Sequence, residues 1–71
     1  MHAIDFETYL ISEEHPFPKP VCLSYLNADT EEVGLVKDNI EGKLAEMLQG
    51  HVIAHNAVFE CGVIYEWYPN L

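Results

Sequence analysis

The sequence predicts a small α/β domain with the element order β-β-β-α-β-α, and three observations lead to this prediction. Apolar and polar residues alternate at residues 4–8 near the start of the chain, which is the two-residue period of a half-exposed strand. From residue 40 the apolar spacing changes to three and four, the period of an amphipathic helix. A short apolar segment at residues 51–55 then separates this pattern from a second helical one.

The chain is long enough for one domain, residues 1–71, of which 49% are hydrophobic. A chain of this length buries only about 60% of its unfolded surface, so its stability is marginal without a partner or a cross-link. No apolar run reaches the length of a membrane span, and no secretory signal opens the chain. We therefore expect a cytoplasmic protein that does not bind membranes. Cys22 and Cys61 lie outside any C-x-x-C motif, which favours two reduced, buried thiols over a disulfide or a zinc site.

The first three elements are predicted strands, at residues 2–8, 21–27 and 33–36. Three prolines make residues 9–20 a wide surface connection, because proline cannot donate to a β-ladder. This loop is either a plain irregular connection or one edge of a substrate site. Residues 27–30 have the composition of a turn. Consecutive strands of this kind most simply form an antiparallel meander.

The next two elements are a helix and a strand. Asp38 is positioned to cap the helix, with Glu41 three residues later as in a capping box. The expected apolar face of this helix consists of Ile40, Leu44, Met47 and Leu48. Residues 51–55 are a short strand that we expect to be buried, and parallel to its neighbour because a helix precedes it. It is expected at a sheet edge or beside a missing part of the fold.

A second helix is predicted to begin after Asn56, a residue type that caps helices well. Phe59, Val63 and Trp67 recur at four-residue intervals and form its core-facing side. The aromatic residues near its end are expected to cover the helix face, although such rings can also stack on bases. Pro69 ends the pattern.

Two carboxylates stand close together near the start of the chain. In a strand at residues 4–8 (Ile-Asp-Phe-Glu-Thr), Ile4 and Phe6 point to one face while Asp5 and Glu7 point to the other. Neighbouring like charges repel unless a cation or a shared proton intervenes. Oxygen ligands of this kind suit Mg²⁺ or Mn²⁺. The motif therefore indicates a metal-dependent phosphodiester site, the alternative being an ordinary strand with a solvated charged face.

A third carboxylate lies at the predicted junction between the fourth strand and the second helix. Glu60 is in the first turn or so of that helix, where the helix dipole favours a negative charge. If the fourth strand lies beside the first, Glu60 can approach Asp5 and Glu7. The alternative is a carboxylate on the exposed helix surface.

Residues 4–8 followed by His-Asn-Ala-Val-Phe-Glu at residues 55–60 resemble the first two motifs of the DnaQ-like (DEDD) 3′–5′ exonucleases. The similarity is greatest to the proofreading domain of phage-type family A DNA polymerases and extends over nearly the whole chain. This resemblance implies a ribonuclease-H-like fold and a site with two divalent ions, Mg²⁺ or Mn²⁺, held by four acidic residues. It also implies a bacterial or phage-infected host.

The resemblance implies a role for each matching residue. Asp5 would bridge both metal ions, Glu7 would hold the ion that positions the attacking water, and Glu60 would help to hold the other. The substrate, the 3′ end of single-stranded DNA, would be contacted by Thr8, Asn56 and Phe59. His55 would pack behind the junction.

The sequence departs from the family pattern at two places. Glu60 stands where most members carry Asp, so the same role would be performed by a longer side chain. The third motif, which supplies the fourth acid, is not found among residues 61–71. We therefore interpret the chain as the N-terminal part of an exonuclease domain, incomplete as a catalyst alone, whose other part is supplied in cis or in trans.

The net charge of −9, with only three lysines and no arginine, is unusual for a protein that holds nucleic acid by itself. Metal ions or a partner segment would have to supply the positive charge. An alternative function is a non-catalytic module that binds a partner or forms homo-oligomers through an open sheet edge. A weaker alternative is an acidic mimic of DNA, which predicts carboxylates spread along one face.

Overall fold

The computed structural model describes residues 1–71 and contains four strands and two helices. The elements in chain order are β1 (His2–Thr8), β2 (Pro20–Asn27), β3 (Val33–Val36), α1 (Ile40–Met47), β4 (Val52–Ala54) and α2 (Ala57–Trp67). This order is the predicted one. Neither helix is long and apolar enough to cross a membrane.

The strands form one mixed sheet in the order β3-β2-β1-β4. β1 pairs antiparallel with β2, and β2 pairs antiparallel with β3, so the predicted meander is confirmed. β4 pairs parallel with β1, with Ile4 opposite Ala54. β1 continues to Thr8 beyond this last paired position, and its side towards β4 is therefore left without a strand neighbour from Asp5 onward.

The core lies between one face of the sheet and the two helices. Its seven buried members are Ile4, Phe6, Leu23, Ile40, Leu44, Met47 and Val63. Both helices therefore contact the same face, the one to which Ile4 and Phe6 point. Complete burial of an apolar side chain of this size contributes roughly 1.5–3 kcal/mol, so these few residues supply much of the stability of the domain.

Helix α1 differs from its prediction at both ends. Its cap is Asn39 rather than Asp38: the Asn39 side chain accepts a hydrogen bond from the Gly42 amide at 3.3 Å. Asn39 has a φ of 53°, in the left-handed region that asparagine tolerates better than most residues. The helix ends at Met47, so Leu48 is its exposed C-cap and not part of the buried face.

Strand β4 is shorter and less buried than predicted. It spans three residues, and Ile53 at its centre is 54% exposed. The reason is that β4 is an edge strand with helices on only one of its faces, so a side chain on the other face meets solvent. Both cysteines are free as expected, but only Cys22 is buried and Cys61 is exposed.

The connection between β1 and β2 is anchored to α2. The indole N–H of Trp67, a residue predicted to face the core, instead donates a hydrogen bond to the Phe17 carbonyl oxygen at 2.8 Å. The Phe17 ring lies 6.1 Å from the Phe59 ring, centroid to centroid. It also passes so close to Gly62 that a Cβ there would be 2.3 Å from a ring carbon. The loop is therefore packed on the helix that carries Glu60.

Candidate functional site

The first two acidic residues lie on β1, on the face of the sheet that carries no helix. Ile4 and Phe6 are each 5% exposed and point to the core, so the alternation of the strand directs Asp5 and Glu7 to the opposite face. Both carboxylates are exposed. The predicted alternation of this motif is therefore confirmed.

The third acidic residue enters the site from the start of α2. The Asn56 side chain caps this helix by accepting a hydrogen bond from the Phe59 amide at 3.3 Å, as the sequence predicted. Glu60 follows in the first turn and its amide donates to the Asn56 carbonyl oxygen at 3.1 Å. The helix therefore starts directly after β4 and brings Glu60 to the part of β1 that has no strand neighbour.

Glu60 is buried, only 4% exposed, and its oxygen Oε2 has no hydrogen-bond partner. Burial raises the pKa of this carboxyl, and the negative charge of Asp5 raises it further. Backbone hydrogen bonding from Phe6 acts in the opposite direction. A helix N-terminus also favours the ionised form, but the loss of hydration outweighs these favourable interactions. The alternative of an exposed helix-surface carboxylate is therefore wrong. Asp5 is close enough for its charge to raise the pKa of Glu60, while the expected approach of Glu60 to Glu7 stays a prediction.

The three carboxylates do not form a ready-made ligand set. Asp5 is the only charged group that contributes to the raised pKa of Glu60. No group of three or more His, Cys, Asp or Glu side chains is arranged so that it could hold a metal ion. The unpartnered Oε2 of Glu60 is the one feature that fits a bound cation, because a buried carboxyl oxygen normally has a partner.

The residues expected to contact a substrate each make a local contact within the chain. Thr8 is half-buried and its hydroxyl donates to the Tyr9 carbonyl oxygen at 2.8 Å. Asn56 is exposed, with its side-chain oxygen used by the helix cap. Phe59 is half-buried and packs against the core. None of these contacts tests a role in substrate binding, which remains a prediction.

His55 was expected to pack behind the junction, and it does not. It is exposed and, together with Asp5, lines a shallow cavity of about 550 Å³ on the helix-free face of the sheet. Most of the other lining residues are apolar, among them Leu26, Val33 and Ile53. The sequence contained a signal for this surface: the outward-facing positions of the strands are unusually apolar for a face left to solvent.

The remaining charges supply little cationic potential near these acids. The only ion pair joins the N-terminal amine to Asp29 at 2.8 Å. The ammonium group of Lys43 lies over the Tyr25 ring, 4.7 Å from its centroid, on the side of the sheet covered by α1. The acidic residues on β1 therefore have no basic partner within the chain.

These features define a small α/β domain with a mixed four-stranded sheet and a buried acidic residue at the junction of β4 and α2. Comparisons with protein-family models, with curated proteins and with solved structures find no match to this chain.

Proposed function

We propose that this chain is the N-terminal portion of a metal-dependent 3′–5′ DNA exonuclease domain, with a ribonuclease-H-like fold, from the proofreading part of a phage-type family A DNA polymerase. The observation that carries the proposal is the burial of Glu60 with its Oε2 unpartnered, at a place where the charge of Asp5 helps to raise its pKa. An isolated structural carboxylate at this position would be unfavourable, because a buried unpartnered polar group costs about 1–3 kcal/mol. A divalent cation between the two carboxylates would remove this cost.

The fold supports the proposal at the level of topology. An antiparallel meander followed by a helix and a parallel strand brings the two acidic motifs onto neighbouring elements, β1 and α2. Asp5 and Glu60 are far apart in sequence, and this arrangement brings them close enough for the charge of Asp5 to raise the pKa of Glu60. The resemblance to the exonuclease family rests on the two motifs that meet here.

In this proposal the residues that would hold the ions are Asp5, Glu7 and Glu60. The chemistry that two bound Mg²⁺ or Mn²⁺ ions supply in such a site is activation of the attacking water and stabilisation of the leaving oxygen. Asn56 holds the backbone at the start of α2, so that Glu60 is aimed at β1. Thr8, Asn56 and Phe59 would contact the 3′ end of single-stranded DNA.

The proposal also requires groups from outside the residues described. A fourth acid and the basic surface that holds DNA would come from the rest of the exonuclease or polymerase, in cis or in trans. The net charge of −9 agrees with this division, because phosphate binding depends on Lys and Arg. Nuclease activity is therefore expected of the completed domain.

Metal binding to the chain tests the proposal directly. We expect calorimetric titration with Mn²⁺ to detect binding to the wild-type chain, and about tenfold or greater weakening in Asp5→Asn and in Glu60→Gln. Glu66→Gln is the matched control, because it makes the same change at an exposed position of the same helix. Equal binding by the wild type and both site variants, or no binding by any of them, would count against the metal site.

A second candidate function is partner binding or self-association through the sheet edges. The outer sides of β3 and β4 are unpaired, and exposed edges can accept a further strand. This alternative predicts concentration-dependent dimers in size-exclusion chromatography with light scattering. A monomer at all concentrations would remove self-association from consideration.

A further inference from the structure

One face of the sheet is apolar but has no element packed on it. Both helices lie on the other face, where they form the core with Ile4, Phe6 and Leu23. The strand positions that alternate with these core residues point away from the helices. Several of these outward positions carry large apolar side chains, and soluble monomers rarely expose such groups contiguously.

The apolar side chains form a continuous row across all four strands. Val33 on β3 is opposite Leu26 on β2, and Leu26 is opposite Ala3 on β1. Ala3 is in turn opposite Ile53 on β4. Val33 is 76% exposed, Leu26 41% and Ile53 54%. We call these four residues the apolar row.

The adjacent positions along the strands are more polar and include acidic groups. Asp5 is opposite Ser24 in the next outward-facing pair, and Glu7 follows Asp5 on β1. His55 continues from β4 and lines the same shallow cavity as Asp5. The surface therefore changes from apolar to acidic within two residues along the central strand.

We propose that this face binds an amphipathic helix of a partner protein, with its apolar side on the apolar row and Lys or Arg side chains at Asp5 and Glu7. The row crosses three inter-strand gaps of about 4.8 Å, roughly 14 Å in all. A helix that lies along the row can cover it with apolar residues at i, i+3, i+4 and i+7, which span about 10 Å of its axis. The backbone groups of β2 beside β3, and of β1 as far as Ile4, are paired with strands on both sides. A partner must therefore contact this face through side chains, and a helix satisfies its own backbone hydrogen bonds.

The charge of the chain selects between the possible occupants. A second copy would bring another net charge of −9 and oppose Asp5 and Glu7 with the same acidic groups, which is unfavourable. A basic helix would instead pair with these carboxylates. A basic helix and divalent ions would compete for Asp5 and Glu7, so helix binding is expected of the metal-free chain and does not require pairing at the sheet edges.

A labelled peptide of Leu and Lys tests this inference in metal-free buffer. The peptide of about 18 residues has Leu at i, i+3, i+4 and i+7, and binding is followed by fluorescence anisotropy. A permuted peptide without this periodicity and a Leu and Glu peptide with it serve as controls. We expect the amphipathic basic peptide to bind more tightly than both controls, and its binding to shift the backbone NMR signals of the apolar row.

Matched variants distinguish binding at this face of the sheet from nonspecific attraction of a basic peptide to an acidic chain. Val33→Lys and Ile53→Lys are expected to weaken binding about tenfold or more. Val58→Lys adds the same charge at a valine of α2 that is 78% exposed, and binding to it should change less than about twofold. Equal weakening by Val58→Lys and Val33→Lys, NMR shifts confined to residues other than the apolar row, Asp5 and Glu7, or no binding would overturn the proposal. A wild-type dimer that Val33→Lys dissociates would also overturn it, by assigning the face to a second copy.

Discussion

Glu60 is buried in the first turn of α2, and Asp5 on β1 adds a negative charge to the surroundings of its carboxyl group. Burial is the larger cause of the raised pKa of Glu60, and Asp5 is the second. The two residues belong to the two acidic sequence motifs. The unfavourable free energy of the buried Glu60 charge can be measured from the pH dependence of stability.

Glu60→Gln is expected to stabilise the metal-free chain at neutral pH by about 1 kcal/mol, because it removes a buried negative charge. A raised folded-state pKa means that the folded chain holds the proton more tightly than the unfolded chain. The wild type should therefore lose stability, relative to the variant, as the pH rises from the ordinary value of 4.5 through the raised pKa. Urea unfolding between about pH 4 and 8, with EDTA present, measures this difference.

Glu66→Gln provides the control for this measurement, since Glu66 is exposed on the same helix. Its stability should follow that of the wild type across the pH range. A Glu60→Gln variant that is less stable than the wild type at neutral pH would contradict the assignment of an unfavourable buried charge.

Gly62→Ala is expected to destabilise the chain by about 1–3 kcal/mol through overpacking. Alanine favours helix over glycine by about 1 kcal/mol, but the new Cβ would lie 2.3 Å from a carbon of the Phe17 ring. The double variant with Phe17→Ala should show less than the sum of the two single effects, because the clash is then absent. Thermal or urea unfolding gives all three values, and a stabilised Gly62→Ala would disprove the close approach.

Trp67→Phe is expected to lower stability by about 1 kcal/mol and to loosen residues 9–19. The substitution removes the indole N–H that donates to the Phe17 carbonyl oxygen at 2.8 Å. Amide hydrogen exchange of residues 9–19 should be faster in Trp67→Phe than in the wild type, whereas exchange in β1 should change little. Tyr65→Phe, at a side chain that is 84% exposed, should change neither quantity. Unaltered exchange in Trp67→Phe would mean that this hydrogen bond does not hold the loop.

Asn39→Ala is expected to cost about 1–2 kcal/mol, whereas Asp38→Ala should be close to neutral. Asn39 both caps α1 and adopts a left-handed backbone conformation, with a φ of 53°. Asn39→Gly should cost less than Asn39→Ala, because glycine adopts this conformation readily. Unfolding free energies of the three variants decide the matter. A larger loss in Asp38→Ala would favour the capping box that the sequence suggested.

Local patterns were sufficient to predict most of the secondary structure. The two-residue alternation around Ile4 and Phe6 and the four-residue spacing of Phe59 and Val63 each reflect which side of an element is buried. These periods are properties of the chain itself, so the order of the six elements and the cap of α2 could be derived from it. The choice between two caps for α1 could not, because Asp and Asn both cap helices and only the backbone conformation distinguishes them.

The elements, their order and the two acidic motifs could be predicted from the chain, because they follow from local periodicity and residue type. The burial of Glu60 within range of the charge of Asp5 became known from the packing of α2 against the sheet. The exposure of His55 and of Ile53 in an edge strand likewise became known from the tertiary structure. Burial depends on which elements pack on which face of the sheet. This packing depends on contacts between residues far apart in the chain, and a local sequence pattern does not reveal such contacts.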